Sequence, residues 1–115
     1  MRYQGEFISN NERKKAYLNP LELKVIKVLE DKKLYYLIDY NCIDYFNKGL
    51  FLSFYLPDDK IAIEFSIDKN DIARNKLIKL KKRLCKEHKI NFLIINHIGK
   101  IEKTVDTFIN KFKNE

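Results

Sequence analysis

Two apolar runs, residues 50–56 and 60–66, are separated only by Pro57-Asp58-Asp59. Proline presets φ for a turn, and the aspartates satisfy local backbone donors, so the segment predicts a β-hairpin. In the second strand the two-residue period puts Ile61, Ile63 and Phe65 on one face, and Ala62 and Glu64 on the other. A carboxylate at Glu64, beside apolar neighbours, is either a paired structural group, part of a solvated face, or functional.

What surrounds the hairpin predicts the rest of the fold. Asn19-Pro20-Leu21-Glu22 reads as a helix start, with Asn19 as cap, Pro20 at the first helical position and Glu22 closing a capping box. Leu21, Val25, Val28 and Leu29 then share one face, and the helix ends near residues 31–33. Residues 34–46 are rich in Tyr and Ile without helical period, so they predict one or two strands, with a break near Asn41. Asn47-Lys48-Gly49 is a turn signal. Beyond the hairpin, residues 68–70 lead into a helix from Asp71 to about His88, with Ala73, Leu77, Leu80 and Leu84 as its buried stripe. Residues 91–96 are short and apolar, as in a strand buried on both faces. A strand, a helix and then a buried strand suggest a right-handed parallel crossover. Ile101, Val105, Phe108, Ile109 and Phe112 mark a last amphipathic helix. The expectation is an α/β fold ordered α-β-β-β-α-β-α, with helices on both faces of a mixed central sheet.

At 115 residues the chain is one domain long. The expected division is a basic N-terminal arm, residues 1–18, and one α/β domain, residues 19–115. Lys and Arg number 23 against 16 Asp and Glu, a net charge of +7. That balance favours polyanionic partners, nucleic acid first, although lysine-rich surfaces also serve solubility. Cys42 and Cys85 are far apart and read as buried thiols. No apolar run reaches membrane-spanning length, and the first eleven residues lack the apolar stretch of a leader. A cytoplasmic chain without a disulfide, and without a membrane partner, is expected.

Three glycines scarcely allow a phosphate-binding loop or a dinucleotide turn. Two His and two Cys are scattered without zinc spacing. His88 closes a lysine-rich helix and reads as a surface residue. His97 follows the fourth strand, where side chains often line sites, but a lone histidine there is more often structural.

The run from Ser53 to Ser66, Ser-Phe-Tyr-Leu-Pro-Asp-Asp-Lys-Ile-Ala-Ile-Glu-Phe-Ser, resembles the central hairpin of very-short-patch-repair-type endonucleases. These belong to the PD-(D/E)xK superfamily, with a restriction-endonuclease-like core. In that family an Asp opens the second core strand, followed by an aromatic and a Pro-acidic turn. The next strand runs to an acidic residue, often ahead of a Lys or a second acid. Asp71-Ile72-Ala73-Arg74-Asn75-Lys76-Leu77 is similar to the family's helix start, and Glu22 matches a glutamate that many members carry on the first helix. The resemblance covers roughly residues 20–112.

It implies a metal-dependent nuclease whose site would comprise Glu64, Glu22, Ser53 and Ser66, with Glu64 holding Mg²⁺. Phosphodiester hydrolysis by this route wants two or more carboxylates and a polarised water. Here the family's first Asp is Ser53 and its Lys or acid is Ser66. Two readings follow. Catalysis is weak or lost while DNA binding persists; or the roles have migrated, with Asp39 or Asp44 supplying a carboxylate and Lys69 or Lys76 a cation. Asp58 and Asp59 are turn residues. Arg74, Lys76, Lys79, Lys82 and Arg83 on the long helix, with Arg13, Lys14 and Lys15 in the arm, are the expected phosphate contacts. The remaining alternative is a small protein-interaction regulator from a phage or mobile element, for which the many Tyr and Phe residues are suited.

Overall fold

A computed structural model describes residues 11–41 and 50–113. Cys42, Asp44 and the turn expected at residues 47–49 lie outside the described residues, as do residues 1–10. The described elements are a helical turn at residues 11–15 (α1), α2 (Pro20–Asp31), β1 (Leu37–Asn41), β2 (Phe51–Leu56), β3 (Ile61–Phe65), α3 (Ile72–Glu87), β4 (Asn91–Ile95) and α4 (Ile101–Lys113). From α2 onward the order is the expected one.

Local chemistry accounts for the boundaries. The Asn19 side chain accepts from the Glu22 backbone N–H at 2.8 Å, and the Glu22 carboxylate accepts from the Asn19 N–H at 3.0 Å. This reciprocal box, with Pro20 behind it, starts α2. Asp71 starts α3 by accepting from the Arg74 N–H at 3.0 Å. Both helices stop in the same way. The residue after the cap, Lys33 in α2 and Lys89 in α3, takes a left-handed φ of 56° and 58°. Its N–H, and that of the next residue, return to carbonyls of the last turn: Lys33 to Glu30, Leu34 to Leu29, Lys89 to Lys86, and Ile90 to Cys85. This double closure normally has glycine at the left-handed position.

The sheet runs β1-β2-β3-β4. β1 and β2 are antiparallel, as are β2 and β3, and β3 pairs parallel with β4 across α3. Side chains from the two faces enter separate apolar clusters. Ile38, Phe54, Leu56, Ile61, Ile63 and Ile95 pack with Val25, Val28 and Leu29 of α2 and with Ile101, Val105 and Ile109 of α4. On the opposite face Leu37, Leu52, Tyr55 and Ala62 pack with Cys85 of α3 and Ile90. Helices therefore cover both faces of a mixed four-stranded sheet.

Two details depart from the sequence reading, and two others lay outside it. The buried stripe of α3 contains Ile78, Lys81 and Cys85, whereas Ala73 is exposed and Leu77, Leu80 and Leu84 are half-buried. The helix is rotated about one position from the leucine stripe, because cations of α3 answer a carboxylate on the sheet, as described below. β4 is not buried on both faces: it is the last strand of the sheet, and Asn91 to Ile94 are all half-buried. The described part of the basic arm is built into the domain. The buried Asn11 side chain donates to the Tyr36 carbonyl at 2.7 Å and accepts from the Ile38 N–H at 3.2 Å. Its amide thus stands in for a neighbouring strand along the β1 edge. Finally, strand alternation reverses at Asp39, where φ is 48°. Ile38 and Phe54 pair and face α2 and α4, yet Tyr40 and Leu52, paired two residues further on, face α3.

Candidate functional site

Antiparallel pairing of β2 with β3 extends to Phe54 opposite Ile63. One step further the register sets Ser53 opposite Glu64, and a side chain takes over from the ladder. The Ser53 N–H donates to Glu64 Oε2 at 2.8 Å, and its hydroxyl donates to Glu64 Oε1 at 2.6 Å. Glu64 is fully buried. It lies on the α3 face of β3, the side on which the alternation had placed it.

Two cations from α3 complete its surroundings. Arg74 Nη2 lies 3.2 Å from Oε1, and Lys81 Nζ lies 3.2 Å from Oε2. Arg74 also donates through Nε and Nη2 to the Phe65 carbonyl, at 3.3 and 3.0 Å, clasping the end of β3. Lys81 is 5% exposed, and Glu64 is the carboxylate that its ammonium reaches. A buried ammonium without a counter-charge would be strongly unfavourable. The positions 74, 78, 81 and 85 share one helical face. That spacing lets α3 bury an apolar stripe with a cation one turn on either side of Ile78.

Arranged in this way, the carboxylate has each oxygen accepting twice, and two positive charges face one negative. Such a group does not fit Mg²⁺. A hard divalent cation needs several free oxygen ligands, preferably carboxylates, and here it would have to displace a guanidinium and an ammonium. Among the described residues no group of three or more His, Cys, Asp and Glu side chains is placed to hold a metal.

The other expected site residues go to different places. Glu22 serves the α2 capping box, on the helix layer across the sheet from Glu64. Asp39 is exposed on β1. Asp58 and Asp59 lie in the turn at the opposite end of β3 from Glu64. The Ser66 hydroxyl is directed elsewhere than Glu64 and donates to Asn75 Oδ1 at 2.7 Å. Asn75 in turn donates to the Lys69 carbonyl at 3.2 Å and pins the β3–α3 connection. Lys14 and Lys15 are also committed: Lys14 Nζ donates to the Ile38 carbonyl at 2.7 Å, and Lys15 pairs with Glu30 at 2.6 Å and Glu12 at 3.2 Å. Arg13 is exposed.

Beside the network, at the carboxyl ends of the parallel strands β3 and β4, lies a cleft of about 320 Å³. Ser66, Lys69, Asn75, Lys79, Ile94 and Asn96 are among its walls. Lys76, Lys79, Lys82, Arg83 and Lys86 are all exposed. At about 100° per residue they fall within an arc of roughly 120° on α3.

Among the polar residues of the network and the cleft, Lys81, Asn75 and Asn96 had no role in the site from the sequence reading. Lys81 carried a usable signal, since it lies three residues after Ile78 and four before Cys85, on the helix face that a buried Glu64 requires to be cationic. Compared with protein-family models, curated proteins and solved structures, the chain matches none.

Proposed function

We propose that this chain is a nucleic-acid-binding domain of restriction-endonuclease-like type in which the hydrolytic centre has become a structural ion network. The observation that carries this reading is the saturation of Glu64. Its two oxygens accept from Ser53 twice, from Arg74 and from Lys81. The carboxylate that would bind a metal is thus held by cations from the very next helix. Hydrolysis needs that ligand free; binding a phosphate backbone does not.

The neighbouring surface supplies what binding needs. Lys69 and Lys79 in the cleft, with hydroxyl and amide groups from Ser66, Asn75 and Asn96, offer donors of the kind that hold phosphate oxygens. Lys76, Lys82, Arg83 and Lys86 extend that positive face along α3. Glu64, Arg74 and Lys81 together leave one surplus positive charge beneath it. Contacts of this type position a duplex without reading its sequence, and DNA is the expected partner.

The test is a salt titration with a labelled duplex. Binding should fall steeply with salt, and K79E/K82E/R83E should abolish most of it while leaving the fold intact. Cations lost from the contact lower the slope of log K against log salt by about one each. Absent binding at low salt, or binding indifferent to salt, overturns the reading. So does Mg²⁺- or Mn²⁺-dependent cleavage of plasmid that E64Q removes, which would establish a working nuclease instead.

A further inference from the structure

The two edges of the sheet are treated differently. Along β1, Asn11 and Lys14 occupy the outward groups of Tyr36 and Ile38. β4, at the other edge, is Asn-Phe-Leu-Ile-Ile, with no charge and no proline to deter pairing. The Asn91 N–H and the Ile95 carbonyl bond toward β3 and the connections flanking it, to Lys60 and Ser66. Alternation then turns the amides and carbonyls of Phe92 and Ile94 outward. No described residue is hydrogen-bonded along that outer side by the pairing of the sheet.

Alongside β4, on the face covered by α4, runs a groove of about 420 Å³. Leu93 and Phe108 form its apolar floor, and Lys100, Lys103 and Lys111 stand around it. All three lysines are exposed.

We propose that β4 and this groove dock an extended acidic segment of a partner protein, which adds to the sheet as a fifth strand. The open edge would supply main-chain hydrogen bonds, and alternate side chains of the added strand would enter the groove. Apolar side chains there meet Leu93 and Phe108, and acidic ones meet the lysines. Charge selects this occupant over a second copy of the chain. Two-fold pairing through β4 would bring two sets of these lysines to one seam, where like charges oppose association. This surface is separate from the cationic face of α3.

The test uses the full chain, labelled for NMR, and a decapeptide repeating Glu-Ser-Val-Ser, which in an extended strand turns glutamate and valine to one face and serine to the other. Saturable shifts and slowed exchange are expected at the Phe92 and Ile94 amides. K103E/K111E should weaken binding by about tenfold, a loss of 1.4 kcal/mol. The same peptide with lysine in place of glutamate should not bind. The α3 variant K79E/K82E/R83E should bind the acidic peptide as the parent does, which separates this site from nucleic-acid binding. The proposal is overturned if the β4 amides do not respond, if the basic peptide binds equally well, or if the chain dimerises through β4 unaided. It is equally overturned if oligo(dT) rather than the acidic peptide produces the β4 shifts.

Discussion

Ser53 donates to the Glu64 carboxylate twice, through its backbone N–H at 2.8 Å and its hydroxyl at 2.6 Å. The strand pairing of β2 with β3 is thereby continued by a side chain, and the charge of that side chain fixes where α3 must place Arg74 and Lys81. Removing Glu64 should be among the most damaging single changes in the chain. Glu64→Ala leaves Lys81 buried without a counter-charge and should cost about 3–5 kcal/mol. Replacing both charges, in Glu64→Leu with Lys81→Met, should recover a large part of that loss. Denaturant unfolding of the two single variants and the double variant checks this through their non-additivity.

Asn11 predicts a second effect, at the far edge of the sheet. Its amide satisfies the Tyr36 carbonyl and the Ile38 N–H, both in buried residues. Asn11→Ala should destabilise by about 1–3 kcal/mol, the cost of leaving such backbone groups without partners. Amide hydrogen exchange should show the loss at Ile38 first.

The helix ends offer stabilising changes. Lys33 and Lys89 hold left-handed φ values that cost a side-chain-bearing residue free energy and glycine none. Lys33→Gly and Lys89→Gly should each stabilise by about 1 kcal/mol, raising the thermal midpoint by roughly 4–8 °C. Lys33→Gly leaves the α3 charge arc unaltered, so the proposed nucleic-acid binding should not change with it.

Two limbs of the pH–stability profile follow from one cluster. The Glu30 carboxyl is held below its ordinary value of 4.5, chiefly by the hydrogen bond from Lys15, with Tyr36 also donating. A depressed carboxyl favours the folded state above its unfolded value, and that contribution is lost as pH falls below about 4.5 through the folded value. The Tyr36 hydroxyl is pushed well above its ordinary value of 10.0, first by burial and then by the Glu30 hydrogen bond. Lys15 is raised above 10.5, mainly by the hydrogen bond to Glu30. Raised groups favour the folded state below their unfolded values, so stability declines as pH climbs beyond about 10. Thermal melts across pH should show Glu30→Gln flattening the acid limb and Tyr36→Phe flattening part of the alkaline one.

The architecture was legible where short-range chemistry decides it. The Pro-Asp-Asp turn, the Asn19–Glu22 box and the alternation of Ile61 to Phe65 all act within a few residues, and each appears as read. The rotation of α3 was not legible from leucine spacing, because its cause lies ten and seventeen residues earlier, at Glu64. The resemblance directed attention to Glu64, Ser53 and Ser66, and the first two do meet. Ser66 instead bonds Asn75, and Glu22 serves a cap across the sheet, since residue type at a position does not specify which layer a helix occupies. The αL residues escaped notice because the usual marker is glycine, and lysine occupies both helix ends.

The unequal edges set a limit on self-assembly. Growth of a sheet from copy to copy needs two receptive sides on every unit, one to accept and one to offer. Asn11 and Lys14 occupy β1 along Tyr36 to Ile38, so that stretch offers no receptive side to a copy already paired through β4. Among the described residues, self-association through β4 at high concentration should therefore favour a closed pair over continued growth, a difference that sedimentation resolves.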